Sequence, residues 1–328
     1  MIRISVIILN YNGKKLLKEC LDSLRVQSFR QFEAILVDNG SSDGSVDYLR
    51  ENYPWVRIVA LSENLGFAGG NNRGFAVSCG EYIVTLNNDT KVSENFLEEL
   101  LKVAEKSCKT GIVAAKMLDY HKRDMIDSVG IYPASNGTAV SIGAGEADRG
   151  QYDRERYIFG ACAGAALYRR SMISETGFFD PEFFAYYEDM DLAWRAVLAG
   201  WRALAAPKGV AYHIHSATSG RMSDFTVYHT HRNKWRTIVK NWPFPLIARH
   251  LPEILLHDAA SILLAAVKGR GWAAIKARIS VIADFRAILE KRREIRKLVK
   301  IPARKANALL LPPPSPWKIF RRKMRSGA

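Results

Sequence analysis

The sequence predicts an α/β protein built on a mainly parallel sheet with helices on both faces, followed by a basic helical extension. Three observations carry this. Short apolar runs rich in β-branched residues alternate with stretches of helical spacing through the first half. The first four strand-like runs all end in polar segments rich in Asn and Asp. The charge is divided unevenly between two parts of the chain. A βαβα order buries its apolar strands only if helices cover the sheet, and its crossovers make the strands parallel.

The elements follow in order. Residues 4–9 read as a first strand, and Leu16, Leu17, Cys20, Leu21 and Leu24 place one apolar face on a helix. Residues 32–37 form a second strand, 43–50 a short helix, 56–61 a third strand and 68–78 a helix. A fourth strand at 82–86, a helix at 96–105 and a further strand at 111–116 continue the pattern. Residues 120–160 are Gly-rich and polar without a period, which suits an irregular crossover or a loop on the acceptor side. Beyond residue 240, two helical segments are expected, at 246–267 and 272–299, before the prolines at 312–316 break the pattern. The expected division is therefore 1–240 for the α/β body and 241–328 for the extension.

With 328 residues, 48% of them hydrophobic, the chain can bury a substantial core. Residues 1–239 hold 28 Lys/Arg against 28 Asp/Glu; residues 240–328 hold 20 against 5 and account for the whole net charge of +15. Such a tail suits an anionic membrane surface. It also suits nucleic acid, but no nucleic-acid reader motif accompanies the charge, so no nucleic-acid partner is expected. Cys20, Cys79, Cys108 and Cys162 are widely spaced, without zinc-like pairing, and the N-terminal apolar run is too short for a signal peptide. A reducing, cytoplasmic location follows as an expectation. The apolar stretch 251–267 is interrupted by Pro252, Glu253, His257 and Asp258, short of the ~20 clean residues of a spanning helix.

In parallel sheets, ligands collect beyond the carboxyl ends of the strands. Strand one exits through Asn10-Tyr11-Asn12, strand two through Asp38 to Asp43, strand three through Ser62 to Gly66, and strand four through Asn87-Asn88-Asp89. Asp43 reads as a turn and cap residue, whereas Asp38 ends an apolar strand where a carboxylate can accept from a nucleobase NH. The glycines of 64–74 would let the backbone approach a bound group. Neither GxGxxG nor a GxxxxGK[ST] loop is present, which disfavours a dinucleotide or P-loop site. Asp89 with its amide neighbours could share a hard cation such as Mg²⁺ or Mn²⁺ with phosphate oxygens and water. His213 and His215 fall on one face of a strand, a pair suited to metal or phosphate. Arg232 and Asn233 open a basic, aromatic segment that is either a solvated helix face or a phosphate clamp. Glu188-Asp189-Met190-Asp191 closes an aromatic run, 178–187, at a helix start. Carboxylates there either complement the helix dipole or supply a base of tuned pKa.

The succession NYN, VDNGSSDGS, NLGFAGGNNRG, LNND, FGACAGAALYRRSM, GFFDPEFFAYYEDMDLAWR, VAYHIHSATSG and HRNKW resembles family 2 glycosyltransferases of the GT-A fold, in their rhamnosyltransferase-like branch, over residues 2–240. The resemblance implies that Asn10 and Tyr11 line the donor's nucleoside pocket, that Asp38 reads the pyrimidine, and that Gly66 and Asn72 shape the donor site. It puts Asn87 and Asp89 at the place of the family's DxD motif, with Asp89 and His213 on a divalent cation. His215, Arg232 and Asn233 would face the diphosphate or the acceptor. Asp189 would be the general base, Glu188 the competing one, and Asp191 the cap of a helix beginning at Leu192. The expected activity is inverting, metal-dependent transfer of one sugar from a nucleotide-sugar donor, foremost dTDP-rhamnose and otherwise a UDP-sugar, to a glycan or polyprenyl-linked acceptor. Without a QxxRW motif, a processive synthase is not expected.

Overall fold

The computed structural model describes residues 2–214 and 223–313. The body opens with β1 (Ile4–Asn10), α1 (Leu17–Arg25), β2 (Phe32–Asp38), α2 (Ser45–Asn52), β3 (Arg57–Ala60), α3 (Gly66–Val77) and β4 (Tyr82–Asn87). It continues through β5 (Thr90–Val92), α4 (Phe96–Glu105), β6 (Thr110–Asp119), β7 (Ile126–Ser128), β8 (Ile131–Pro133), β9 (Ala139–Ser141) and β10 (Arg156–Ile158). Then come β11 (Ala165–Arg169), α5 (Arg170–Thr176), α6 (Glu188–Leu198) and β12 (Arg202–His213). The extension is α7 (Asp224–Asn241), α8 (Phe244–Val267), α9 (Gly271–Ala283), α10 (Phe285–Leu298) and α11 (Ala303–Ala308).

The main sheet runs β10-β12-β6-β11-β4-β1-β2-β3. The β4-β1-β2-β3 half is parallel, as the alternating sequence requires, and β6 pairs parallel with β12. Antiparallel β11 joins the two halves. The arrangement puts the ends of β1, β2 and β4 side by side, with Asn10 opposite Asp38 and Leu9 opposite Asn87.

Two apolar layers sandwich the sheet. One gathers Leu17, Leu21, Phe96 and Leu100 of α1 and α4 against Val6, Ile8 and Leu36. The other gathers Trp194 of α6 with Ile7, Ile35 and Phe159, and also takes Trp242, Leu246, Ile254 and Ile295 of the extension. Trp194 contacts both Phe159 and Trp242, at ring-centroid distances of 4.8 and 5.6 Å. Strand β12 ends at His213 and α7 begins at Asp224, and the core continues through the helices that follow.

The extension departs from the expected two helices. Gly269, at φ +71°, turns the chain between α8 and α9. Asp284 separates α9 from α10 and directs its carboxylate to Arg236 at 2.9 Å. Pro252 leaves α8 unbroken, so the helix runs for 24 residues from Phe244 and is long and apolar enough to cross a membrane, contrary to the sequence reading.

Candidate active site

The four polar strand exits meet. Asn88 donates to Asn10 Oδ1 (2.7 Å), and Asn10 donates to Asp38 Oδ1 (2.9 Å). Asp38 Oδ2 accepts from the Ser41 amide (3.0 Å). Asn39 extends the chain to the third exit by donating to Asn64 Oδ1 (2.8 Å). Asn10 and Asp38 are buried, whereas the Tyr11 ring stands exposed at the end of β1.

On the other flank, β12 pairs with β5 and sets His213 opposite Thr90, beside Asp89. His213 Nε2 lies 3.3 Å from Asp89 Oδ1 and 3.3 Å from the Asn87 amide nitrogen. Its Nδ1 lies 2.8 Å from Asp127 Oδ2 on β7. Burial lowers the His213 pKa, but the hydrogen bonds and charges of Asp127 and Asp89 overcome this and raise it to about 10. Asp89 Oδ1 is buried, and its polar contact among the described residues is the long one with His213 Nε2. Nothing in the sequence marked Asp127, a single acid in a three-residue strand. Among the described residues, no three His, Cys, Asp or Glu side chains form a metal cage. His215 lies outside the described residues.

Residues 178–187 form a strap leading to α6. Phe178 and Phe179 stack on each other and pack against Phe75 and Phe67 of α3. Phe184, Tyr186 and Tyr187 have φ of 61°, 69° and 69°. Non-glycine residues take such conformations only where surrounding contacts impose them. Those contacts involve residues the sequence reading had aimed at ligands. Asn233 is buried, and its amide donates to the carbonyls of Phe183, Ala185 and Tyr186 at 2.8–2.9 Å. Arg232 donates to the Glu182 carbonyl (2.7 Å) and lies 3.5 Å from Asp284. Asn72 donates to the Phe179 carbonyl (2.7 Å). A Cβ on Gly66 would meet Phe184 O at 2.5 Å. Arg232, Asn233, Gly66 and Asn72, expected at the diphosphate and the donor, are thus all in contact with the strap. Gly70 and Gly74 likewise admit Leu9 and Ile7, so the glycines serve the packing of α3 on β1.

The strap ends in the carboxylate cluster. The helix starts at Glu188, four residues earlier than expected, so Asp191 lies in its first turn and caps nothing. Fully buried, Asp191 pairs with Arg195 (2.9 Å) and Lys240 (2.8 Å) and accepts from Asn241 (2.8 Å). Burial opposes its ionisation, but the Lys240 and Arg195 charges outweigh this and lower its pKa. Asp189 has no cationic partner among the described residues. It accepts from the amides of Met190 (2.7 Å) and Ala163 (3.4 Å), and burial pushes its pKa up to about 6 against those bonds. Glu188 is raised well above the carboxylate range, by burial first and then by the Asp189 charge, and its Oε2 has no hydrogen-bond partner among the described residues.

One turn links the two flanks. Ala163, whose amide reaches Asp189, accepts at its carbonyl from Thr85 (2.6 Å), and Gly164 accepts from the Asn87 amide (2.9 Å). The tuned carboxylate and the Asp89–His213 pair therefore border the same end of β4.

A mixed sheet with a polar crevice at its strand ends, bordered by an Asp/His pair and a carboxylate of raised pKa, is the frame of a GT-A glycosyltransferase. Solved structures share the fold. GalNAc-T7 with UDP, GalNAc and Mn²⁺ superposes with a TM-score of 0.61 at 15% identity, over 75% of this chain and 49% of that one. The mannosyltransferase PcManGT from Pyrobaculum calidifontis, in complex with GDP-Man and Mn²⁺, gives 0.54 at 18% identity, over 90% of this chain and 85% of that one. The sequence profile of Glycosyl transferase family 2 matches residues 5–177, and the chain belongs to that family. It is rhamnosyltransferase-like: the N-acetylglucosaminyl-diphospho-decaprenol L-rhamnosyltransferase of Mycobacterium tuberculosis is 28% identical over 247 residues, 66% of this chain and 77% of that protein.

Proposed function

We propose that this glycosyltransferase moves one sugar from a nucleotide-sugar to a glycan or polyprenyl-linked glycan acceptor with inversion, and that dTDP-rhamnose is its donor. The observation carrying this reading is Asp189, a half-buried carboxylate without a cationic partner among the described residues, its pKa raised to about 6, joined through the Ala163–Gly164 turn to the end of β4 that leads to Asp89. The Mycobacterium tuberculosis relative, named for L-rhamnose transfer to a diphospho-decaprenol-linked sugar, supports the choice of donor and acceptor.

In this reading Asp189 accepts the proton of the acceptor hydroxyl as that oxygen attacks the anomeric carbon, and the bond from that carbon to the diphosphate breaks. Glu188, whose pKa is raised by burial and then by the Asp189 charge, is the less favoured of the two bases. The crevice of Asn10, Tyr11 and Asp38 receives the nucleoside. Asp89 Oδ1, buried and met among the described residues by His213 Nε2 at 3.3 Å, would hold a divalent cation, Mg²⁺ or Mn²⁺, together with that imidazole once it gives up its proton, with donor phosphate oxygens and water completing the set. Bound there, the cation supplies positive charge to the departing diphosphate. Asp127 fixes His213 through Nδ1 and leaves Nε2 to face Asp89. The Asp127→Asn variant should bind Mn²⁺ about 10–100-fold more weakly by calorimetry in the presence of nucleoside diphosphate. Unchanged affinity would remove His213 from the metal site.

The test of the function is a donor panel with Mn²⁺ or Mg²⁺, read as release of nucleoside diphosphate in the presence of a polyprenyl-linked acceptor. dTDP-rhamnose should be turned over fastest. Faster turnover of a UDP- or GDP-sugar would replace the donor, and turnover of none would sink the reading.

A further inference from the structure

We infer that the outward faces of α8 and α9 form a docking surface for an anionic lipid bilayer and lie in the plane of its headgroups. The inference stands apart from the donor and acceptor assigned above. On α8, Leu251, Leu255, Leu256, Leu263, Leu264 and Val267 are exposed, Leu256 by 74% and Val267 by 78%. Leu256, Leu263 and Val267, seven and four residues apart, share one face of the helix, with Leu255 and Leu264 beside them. On α9, Trp272, Ile275, Ile279 and Ile282 repeat the pattern, with Trp272 exposed by 66% and Ile282 by 74%. α8 and α9 pack against each other, so the stripes adjoin. Apolar surface on this scale marks an interaction site.

Charge selects the occupant. Between Arg249 and Lys268, α8 carries two charged residues, Glu253 and Asp258; Asp258 is buried and Glu253 is half-buried against the body. Glu253 accepts from Ser135 (2.9 Å), and Asp258 pairs with Lys234 (2.9 Å) and Arg278 (2.8 Å). None of the exposed apolar positions is acidic, and exposed Arg249 and Lys268 at the ends of α8 and Lys276 on α9 accompany them. An apolar face accompanied by cations matches acyl chains below anionic headgroups. The same Asp258 pairing argues against a spanning helix: it ties the middle of α8 to α7 and α9, and a membrane crossing would tear it away. α8 and α9 lie along the body as an in-plane pair.

The full chain, with residues 314–328 kept, tests this by co-sedimentation with vesicles of phosphatidylcholine alone or with about 30 mol% phosphatidylglycerol. Leu256→Asp/Leu263→Asp changes two exposed side chains and should weaken vesicle binding about tenfold or more. Nucleoside diphosphate binding by the same variant, if unchanged, shows that it folds. Lys268→Glu/Lys276→Glu should abolish the preference for phosphatidylglycerol. Alkaline carbonate should release the bound protein. The inference is overturned if the leucine variant binds vesicles like the parent, if carbonate leaves the protein in the membrane, or if the apolar face instead holds a dimer that the leucine variant dissociates.

Discussion

Asp189→Asn should lower sugar transfer by about 10²-fold or more while leaving nucleoside diphosphate affinity unchanged, because only the proton acceptor is lost. Glu188→Gln should transfer at nearly the parental rate, since burial and the Asp189 charge favour the protonated form of Glu188. The pH dependence gives a second signature. A base with its pKa raised to about 6 is competent when deprotonated, so kcat should be level above that pH and fall as pH drops through it. The residual activity of Asp189→Asn should lack this acidic limb, which separates the base from proton competition at His213. Normal transfer by Asp189→Asn together with an inactive Glu188→Gln would exchange the two roles.

Asp191→Ala should destabilise the fold by about 3–5 kcal/mol at pH 7, because removing one member of a buried ion pair leaves its partners charged and uncompensated. Those partners are Arg195 and Lys240, both nearly fully buried. The folded-state pKa of Asp191 is lowered, so its contribution exists above the unfolded-state value and disappears as pH falls through the folded-state one. Denaturant unfolding of parent and variant should therefore converge in acid. A loss below about 1 kcal/mol at pH 7 would mean that Asp180, 2.6 Å from Lys240, compensates.

The sheet and its crevice were legible because their signals are local. Apolar runs with β-branched residues became β1, β2 and β4, and their Asn/Asp exits interlock as the alternation requires. What was missed depends on direction rather than residue type. Arg232 and Asn233 read as a phosphate clamp from composition, but the geometry of α7 turns them onto the carbonyls of the strap. The start of α6 was placed late because Tyr186 and Tyr187 take left-handed backbone without a glycine to announce it. Asp127 is a single acid in β7 and gains meaning only when β12 brings His213 to it. The glycines of α3 were assigned to a ligand and proved to accommodate β1.

The strap has a consequence for how this enzyme can be divided. Its backbone is held from the body by Asn72, from α7 by Asn233, and its Asp180 carboxylate is held from α10 by Lys291 at 2.7 Å. The basic part of the chain, through Lys291 of α10, thus joins α3 and α7 in holding the strap that leads to Asp189. A swap of the C-terminal helices between relatives would carry the shape of the catalytic loop with it.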